Sequence, residues 1–174
     1  MNATLKTARL LLPLAILVVL GNAEPAPQSQ MNFTPVAAGT WAADWTGVTG
    51  KTYFFQWSND LVNWYYAPII DFGEGDHSYG CASTSTGFFA RLHHTDIYDN
   101  LEEARNADFD GDGLSNIFEV TYGYNPFQTT STIEGPDASL DPDGDGIGNF
   151  SEHTSGTNPM VKDNPKVLLQ VTEE

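Results

Sequence analysis

A strongly acidic stretch occurs twice in the chain, and it constrains the fold more than any other feature. It reads DFDGDGLSNIFE at 108–119 and DPDGDGIGNFSE at 141–152, so each copy holds four carboxylates in twelve residues. Two carboxylates about 4 Å apart repel by roughly 1 kcal/mol in water and by several times that near a protein surface. A loop of this composition therefore opposes its own compact form unless a cation neutralises it.

The spacing of the acids predicts two calcium-binding loops of the EF-hand type. Aspartate stands at loop positions 1, 3 and 5, glycine at position 6 permits a sharp turn, and glutamate at position 12 can close the site with both oxygens. The apolar residue at position 7 would offer its backbone carbonyl while its side chain packs inward, and asparagine at position 9 would ligate directly or hold a water. Oxygen ligands without histidine or cysteine favour Ca²⁺ over Zn²⁺, and Mg²⁺ requires a tighter octahedral geometry. The predicted ligands of the two ions are Asp108, Asp110, Asp112, Leu114, Asn116 and Glu119 in the first loop and Asp141, Asp143, Asp145, Ile147, Asn149 and Glu152 in the second.

The residues around the loops favour a structural use of calcium over a signalling one. Gly123 and Gly156 suit left-handed helix ends, and Pro126 and Pro159 prevent each helix from resuming. The helix that leaves each loop is therefore predicted to have about two turns. Pro136 stands close before the second loop, so a long incoming helix is not expected there. A calcium sensor needs longer paired helices and a methionine-rich groove.

Both segments resemble the calcium repeats of bacterial secreted proteins related to thrombospondin type 3 repeats. The resemblance rests on ADFDGDGLSNIFEVTYGYNP and LDPDGDGIGNFSEHTSGTNP, which are similar to the pattern D-x-D-G-D-G-L-S-N-x-x-E followed by G-T-D-P. It covers about 108–164 and implies a calcium-organised spacer or module of an extracellular protein. Dockerins, which bind cohesin scaffolds, are similar in loop and tandem arrangement. The chain departs from the pattern where Asn125 and Asn158 replace the usual aspartate.

The region before the repeats is rich in aromatic residues and poor in charge. Short β-favouring runs between turn residues predict an antiparallel β-sandwich, with strands near 40–46, 51–57, 61–66, 77–82 and 87–93. Alternation places Tyr53, Phe55 and Trp57 on one face of the strand and Phe54 and Gln56 on the other. One face is expected to be core and the other at least partly solvated. The predicted fold class is a mainly β N-terminal sandwich followed by a small α/loop module of tandem EF-hand-like calcium loops.

Two stretches of this region resemble a small fibronectin-like β-sandwich module that often precedes such repeats. TYFFQWSNDLVNWYYAPI fits a strand-pair pattern Y-x-x-x-x-S-x-D-L-x-x-W, and GFFARLHHTD fits a closing strand F-x-R-L. The resemblance implies no catalytic role. The matching residues are Tyr53, Ser58, Asp60, Leu61, Trp64, Phe89, Arg91 and Leu92.

The N-terminus predicts export. Lys6 and Arg9 precede an apolar run, Leu10 to Leu20, and Gly21-Asn22-Ala23 offers small residues for cleavage. The run is shorter than the ~20 residues that span a bilayer, although an N-terminal membrane anchor is the alternative. The predicted protein is secreted or held at the cell surface, with the periplasm as a further location.

The predicted division of the chain has five parts. They are a signal peptide at 1–23, a flexible leader at 24–32, the β-sandwich module at 33–95, the calcium-loop module at 96–164 and a C-terminal tail at 165–174, which would be a strand or a docked segment. The calcium module would begin with a short helix within 96–107, capped by Asp96 or Asp99, with Ile97, Leu101 and Ala104 on its apolar face.

Composition and motifs exclude several classes of function. The formal charge of −16 would repel nucleic acid and anionic membranes. Cys81 is the one cysteine, so it cannot form an internal disulfide, and we expect it to be a packed residue. The spacing of His77, His93 and His94 matches no familiar zinc set.

The chain has no Gly-x-Ser-x-Gly, His-Glu-x-x-His or phosphate-loop motif, so we predict a non-enzymatic protein. Two other functions are alternatives to that of a structural calcium-binding protein. The aromatic run at 53–66 could stack on sugar rings and make the N-terminal module a carbohydrate-binding one. The calcium module could instead be a dockerin-like plug for a protein partner.

Overall fold

The computed structural model of the protein describes residues 31–83 and 87–163. The predicted signal peptide, residues 24–30 of the predicted leader and the predicted tail lie outside these ranges. Within them, no helix is long and apolar enough to cross a membrane. The elements are strands β1 (Met31–Ala37), β2 (Thr40–Gly47), β3 (Thr52–Ser58), β4 (Tyr65–Phe72), β5 (Gly75–Ala82) and β6 (Phe89–Thr95), then helices α1 (Leu101–Asn106), α2 (Asn116–Tyr122) and α3 (Asn149–Ser155), with a 3₁₀ turn (Asp137–Ser139) before α3.

Six strands form two three-stranded sheets, with the orders β1-β2-β5 and β4-β3-β6. Every pairing within them is antiparallel. Tyr53 and Phe55 share one face of β3, as alternation predicts, and this face points into the core between the sheets. The predicted fold class, mainly β at the N-terminus with short helices and loops after it, is therefore confirmed. The buried core between the sheets consists of Met31, Ala43, Trp45, Tyr53, Phe55, Ala67, Cys81 and Ala90.

The opposite face of the β4-β3-β6 sheet is also buried, so the prediction of a partly solvated face is wrong. Phe54 is 0% exposed and Gln56 is 5% exposed. Helices α1 and α2 lie against β4 and cover this face. Alternation along a strand tells which side chains share a face, but it cannot tell whether a later segment covers that face. The second core cluster, which spans sheet and helices, consists of Phe54, Tyr66, Ile70, Tyr98, Ala104 and Val120.

Phe127, which follows α2, extends this contact across the sheet. Its ring centroid lies 5.0 Å from that of Phe54 and 4.2 Å from that of His93, on which it stacks. On its other side, the ring of Phe109 in the first acidic loop lies 4.6 Å away. The proposed sandwich region and the proposed calcium region therefore share an apolar interface.

The connection between β3 and β4 is longer than the sequence predicts, and β4 begins at Tyr65 instead of near residue 61. Ser58 Oγ accepts the backbone N–H of Leu61 at 2.9 Å, and Asp60 Oδ1 accepts those of Val62 and Asn63 at 2.9 and 2.8 Å. Side chains thus accept hydrogen bonds from backbone N–H groups that would otherwise pair with a neighbouring strand. The Ser-x-Asp-Leu part of the fibronectin-like pattern builds this turn.

Strand β1 lies where the sequence pattern predicts no strand. It pairs with β2 from Met31 onward, although its sequence contains Pro35. Proline cannot donate to a sheet but is tolerated on an edge strand, and β1 is at an edge. The register also shifts between Pro35 and Ala37. Only Met31 and Asn32 of this strand fall in the predicted leader, and the rest of it falls in the predicted β-sandwich module.

Helix α1 is shorter than predicted, and neither predicted cap is its cap. Asn100 precedes the helix and its Oδ1 accepts the N–H of Glu103 at 2.9 Å. Asp96 instead pairs with Lys51 at 3.1 Å. Ile97 lies before the helix and is 60% exposed, whereas Leu101 and Ala104 pack on the sheet as predicted.

We predict that Val120→Ala lowers the free energy of unfolding by about 2 kcal/mol, because it removes two buried methyl groups and leaves a cavity. Val120 is 1% exposed and belongs to the cluster that joins helices and sheet. Urea denaturation followed by tryptophan fluorescence measures the change. Val62→Ala, at a position 79% exposed, is the matched control and should shift the midpoint little. Equal midpoints for the two variants would contradict the shared interface.

Candidate metal centres

In each loop, the backbone wraps around the carboxylate of the first aspartate, which accepts hydrogen bonds from several backbone N–H groups. Asp108 accepts the N–H groups of Gly111 and Gly113 at 2.7 and 2.8 Å, and Asp141 accepts those of Gly144 and Gly146, both at 2.9 Å. All four glycines have positive φ, between 72° and 94°. A β-carbon would be strained in this conformation, and the fold thus explains why both loops alternate aspartate with glycine.

The next two aspartates each use one oxygen to hold the loop. Oδ1 of Asp110 accepts the N–H of Asp112 at 3.2 Å, and Oδ1 of Asp112 accepts that of Leu114 at 2.9 Å. Asp143 and Asp145 repeat this arrangement in the second loop. Oδ2 of Asp110, Asp112 and Asp143 is buried and has no hydrogen-bond partner. Each of these side chains therefore presents one oxygen to the inside of its loop.

The glutamate at position 12 of each loop is fully buried. Glu119 and Glu152 lie in the first turns of α2 and α3, are 0% exposed, and have no hydrogen-bond partner at either carboxylate oxygen. A buried carboxylate normally finds a donor or a cation, because burying an unpaired charge is costly. Both loops therefore have, at position 12, a buried carboxylate without a hydrogen-bond partner.

The electrostatics of the loops disfavour the charged forms of these acids. Burial, together with the negative charges of Asp110 and Asp112, raises the pKa of Glu119 to about 9. Burial and the charge of Asp112 raise the pKa of Asp110 to about 6. Burial and the charge of Asp143 likewise raise the pKa of Glu152. A bound dication would reverse these shifts, because it favours the charged form of every surrounding carboxylate.

The donor atoms fit a hard divalent cation. The three aspartates of each loop place one carboxylate oxygen each within 4.8 Å of one another, and Glu119 and Asp112 belong to a further such group. Calcium accepts six to eight oxygen ligands in a flexible geometry, which mixed aspartate and glutamate side chains can supply. In the parts of the chain that the structure describes, these metal-capable groups contain no histidine. His77, His93 and His94 lie apart from them, on β5 and β6.

The asparagines at position 9 are committed to hydrogen bonds within the protein. Nδ2 of Asn116 donates to Tyr98 Oη at 3.0 Å and to the carbonyl of Ala104 at 2.8 Å. Nδ2 of Asn149 donates to Tyr124 Oη at 2.8 Å and to the carbonyl of Asp137 at 2.7 Å. Both side chains tie the segment before each loop to the helix after it. Their predicted role as ion ligands stays a prediction beside this structural one.

The loops differ at position 2, and this difference changes the hydrogen bonding of the asparagine at position 9. The N–H of Phe109 donates to Asn116 Oδ1 at 3.1 Å. Pro142 holds the same position in the second loop and has no N–H, and Asn149 Oδ1 is buried without a partner. The second asparagine therefore keeps one free acceptor.

The position-7 side chains are buried in the first loop only. Leu114 is 0% exposed and packs with Phe118 and Tyr124 in a third cluster. Ile147 is 37% exposed, so the expectation that its side chain packs inward is wrong. Ala138 and Leu140, in the connection before the second loop, pack against the cluster that contains Leu114, whereas no following repeat covers Ile147 within the described residues.

The second repeat packs directly on the first. His153 on α3 shares a hydrogen bond with Ser115 Oγ at 3.0 Å, and its ring lies 5.0 Å from that of Phe118. The ring of Phe150 lies so close to Gly113 that a β-carbon there would come within 2.7 Å of it. Gly113 therefore serves both the turn and the contact between repeats.

One acid near the first loop was missed from the sequence. A carboxylate oxygen of Asp137, in the 3₁₀ turn, lies within 4.8 Å of oxygens of Asp112 and Glu119. Asp137 falls outside both twelve-residue loops, so no spacing rule points to it. Its position depends on how the connection between the repeats folds back.

Both predicted helix ends are observed. Gly123 and Gly156 have φ values of 87° and 72° and end α2 and α3, which have seven residues each. After them, Oδ1 of Asn125 accepts the N–H of Phe127 at 3.1 Å, and Oδ1 of Asn158 accepts that of Met160 at 3.0 Å. An aspartate oxygen could accept the same bond, which explains why asparagine is compatible with this position.

Comparison with protein families identifies the repeated unit. Residues 108–129 and 141–162 each match the model of the bacterial TSP3 repeat. The search of curated proteins and the search of solved structures found no match. The chain thus carries two thrombospondin type 3 repeats of the bacterial kind, which are calcium-binding structural repeats and not an enzymatic family. The acidic clusters in the structure fit that chemistry.

We predict that Asn116→Asp destabilises the protein in chelator by about 3 kcal/mol. The carboxylate cannot donate to Tyr98 or to the Ala104 carbonyl, and it leaves a buried acceptor unpaired. Urea denaturation in chelator measures the loss. Asn106→Asp, which adds the same charge at an exposed position, is the control. Unchanged stability together with tighter calcium binding would instead identify Asn116 as a ligand.

Proposed function

We propose that this is an exported, non-enzymatic structural protein in which two calcium ions, one in each loop, order the C-terminal half and fix it against the β-sandwich. The observation that carries the proposal is the pair of position-12 glutamates. Both are fully buried, and both carboxylate oxygens of each have no hydrogen-bond partner. A cation of charge +2 is the group that such an arrangement accommodates best.

The packing of the repeats supports a stabilising role for the ions. Glu119 lies next to Val120, whose side chain packs against the sheet. An ion in the first loop would therefore hold both α2 and the interface with the sandwich. The helices that leave the loops have seven residues each, which is too short to open a binding groove in the manner of a calcium sensor.

Export is part of the same proposal. TSP3 repeats are typical of extracellular proteins, and the N-terminal sequence has the features of a signal peptide. N-terminal sequencing of the protein recovered from its native source would test the expected cleavage after Ala23. A retained N-terminus on a membrane-bound protein would contradict this part.

We expect calcium to raise the melting temperature by about 10–20 °C relative to the protein in chelator. Each ion adds about 2.7 kcal/mol when free calcium is 100 times its dissociation constant, and about 1 kcal/mol shifts the midpoint of a chain this size by some 2–4 °C. Differential scanning calorimetry measures the shift. Magnesium at the same concentration is the control and should produce a much smaller one. The same melt with and without calcium would overturn the proposed function.

We expect Glu119→Gln and Glu152→Gln each to remove about one equivalent of bound calcium, because the amide loses both the charge and the bidentate closure. Isothermal titration calorimetry gives the stoichiometry. Glu102→Gln, an exposed acid on α1, removes the same charge and should leave two ions bound. Two ions still bound tightly in either variant would show that the loop is closed by another group.

A second candidate function is carbohydrate binding by the sandwich. Most of the aromatic run is core, since Tyr53, Phe54 and Phe55 are at most 2% exposed. Tyr65, however, is 50% exposed, and its ring centroid lies 4.9 Å from that of Trp57 with the two rings tilted by 32°. Arg91 lies 4.0 Å over the ring of Trp64. A partly exposed ring held by a neighbour is a suitable platform for a sugar.

Carbohydrate binding predicts that gels containing a polysaccharide retard the protein, and that Tyr65→Ala abolishes the retardation. Val62→Ala, exposed in the neighbouring turn, is the control. Free migration of the wild-type protein across a panel of polysaccharides would remove this candidate and leave the calcium proposal untouched.

A further inference from the structure

Asp137 is a buried acid that the twelve-residue loops do not account for. It is 0% exposed and begins the 3₁₀ turn that precedes the second loop. It lies between the two segments that match the TSP3 repeat, 108–129 and 141–162. Aspartate is almost never fully buried unless it is paired with a partner, so its place in the interior calls for a partner.

The hydrogen bonds of Asp137 hold its carboxylate in one orientation. The N–H of Ser131 donates to both of its oxygens, at 2.9 and 3.0 Å, and the Ser131 hydroxyl donates to Oδ2. Its own N–H donates to the carbonyl of Thr129 at 3.0 Å. None of these donors carries a charge. Among the described residues, no lysine, arginine or histidine forms an ion pair with Asp137.

The groups that Asp137 faces are other acids. One of its oxygens lies within 4.8 Å of oxygens of Asp112 and Glu119. Oδ2 of Asp112 and both oxygens of Glu119 are buried and lack hydrogen-bond partners. Three carboxylates so close together repel strongly in a region shielded from water. The unpartnered oxygens of Glu119 are an observation independent of the clustering, and they point to a cation between the three side chains.

We propose that Asp137 supplies a carboxylate oxygen directly to the calcium ion of the first loop, which makes this site a five-carboxylate site completed from outside the loop. The inference rests on the proposed function and extends it to a residue that neither loop contains. Asp108, Asp110, Asp112 and Glu119 supply the other four carboxylates.

The ligand also links the two repeats. The carbonyl of Asp137 accepts Nδ2 of Asn149 at 2.7 Å, and Asn149 is the first residue of α3. The ion in the first loop thereby holds the turn that positions the second loop. Because calcium affinity rises with the charge of the ligand set, the added carboxylate is expected to tighten the first site.

The test isolates the first site and then changes Asp137. In the Glu152→Gln background, titration calorimetry reports calcium binding by the first loop alone. Asp137→Asn in that background keeps the side-chain shape and an acceptor for Ser131. It is expected to weaken calcium binding by about 10- to 100-fold or more, because the loss of even an outer-shell partner of a metal ligand costs that much. Glu134→Gln removes the same charge from an exposed position in the same connection and should leave the affinity near its original value.

Melting in chelator separates a ligand from a purely structural residue. Without calcium, Asp137→Asn relieves repulsion, so its melting temperature should equal or exceed that of the parent, while the shift produced by calcium should shrink. A lower melting temperature in chelator with unchanged calcium affinity would overturn the proposal. If the parent itself binds no calcium, the proposed function fails and not this inference alone.

A crystal structure of the unaltered protein with calcium gives a check that needs no variant to fold. An Asp137 oxygen 2.3–2.6 Å from the ion in the first loop, the usual calcium–oxygen distance, would support the proposal. An Asp137 oxygen beyond that distance would overturn it, whatever the occupancy of the second loop.

Discussion

Repulsion among carboxylates is the constraint on which the C-terminal half of the structure depends. Each loop gathers three aspartates around a glutamate that is fully buried and has no hydrogen-bond partner at either oxygen. The backbone N–H groups of the loop satisfy only some of these oxygens, and those that remain point inward. A loop that opposes its own folding in this way is compact only when something else contributes positive charge. The stability of the two TSP3 repeats therefore depends on a source of positive charge outside the loops.

The sandwich and the first repeat support one another. Phe54, on the outer face of β3, is covered by residues of the helices that flank the first loop, and Phe127 closes over it. The sheet consequently has apolar contacts on both faces, one toward the other sheet and one toward the helices. The loop, in turn, is attached to a rigid support. Calcium chemistry and sheet packing thus act on the same helix, α2, which contains both Glu119 and Val120.

Features that depend on a few neighbouring residues could be predicted from the sequence, and those that depend on distant segments could not. The aspartates, the glycines with positive φ and the left-handed ends at Gly123 and Gly156 belong to local hydrogen-bond patterns, so their spacing alone indicates them. The burial of Phe54 and the approach of Asp137 to the first loop arise only when separate parts of the chain meet. The same reason explains why Leu114 is buried and its counterpart Ile147 is not. The matching ligand patterns of the two loops do not indicate which part of the chain will cover the side chain at position 7.

The unequal attachment of the two repeats has a mechanical consequence. The first repeat is packed against the sandwich on one side and against α3 on the other, whereas the described contacts of α3 are with the first repeat and the 3₁₀ turn. Under tension applied along the chain, the second repeat would detach first, and under the proposed function its calcium ion would be released before that of the first repeat. The first repeat would yield later, because its helices also pack against the sheet. The protein would then respond to load in two separate steps, with the weaker step at the end farther from the sandwich.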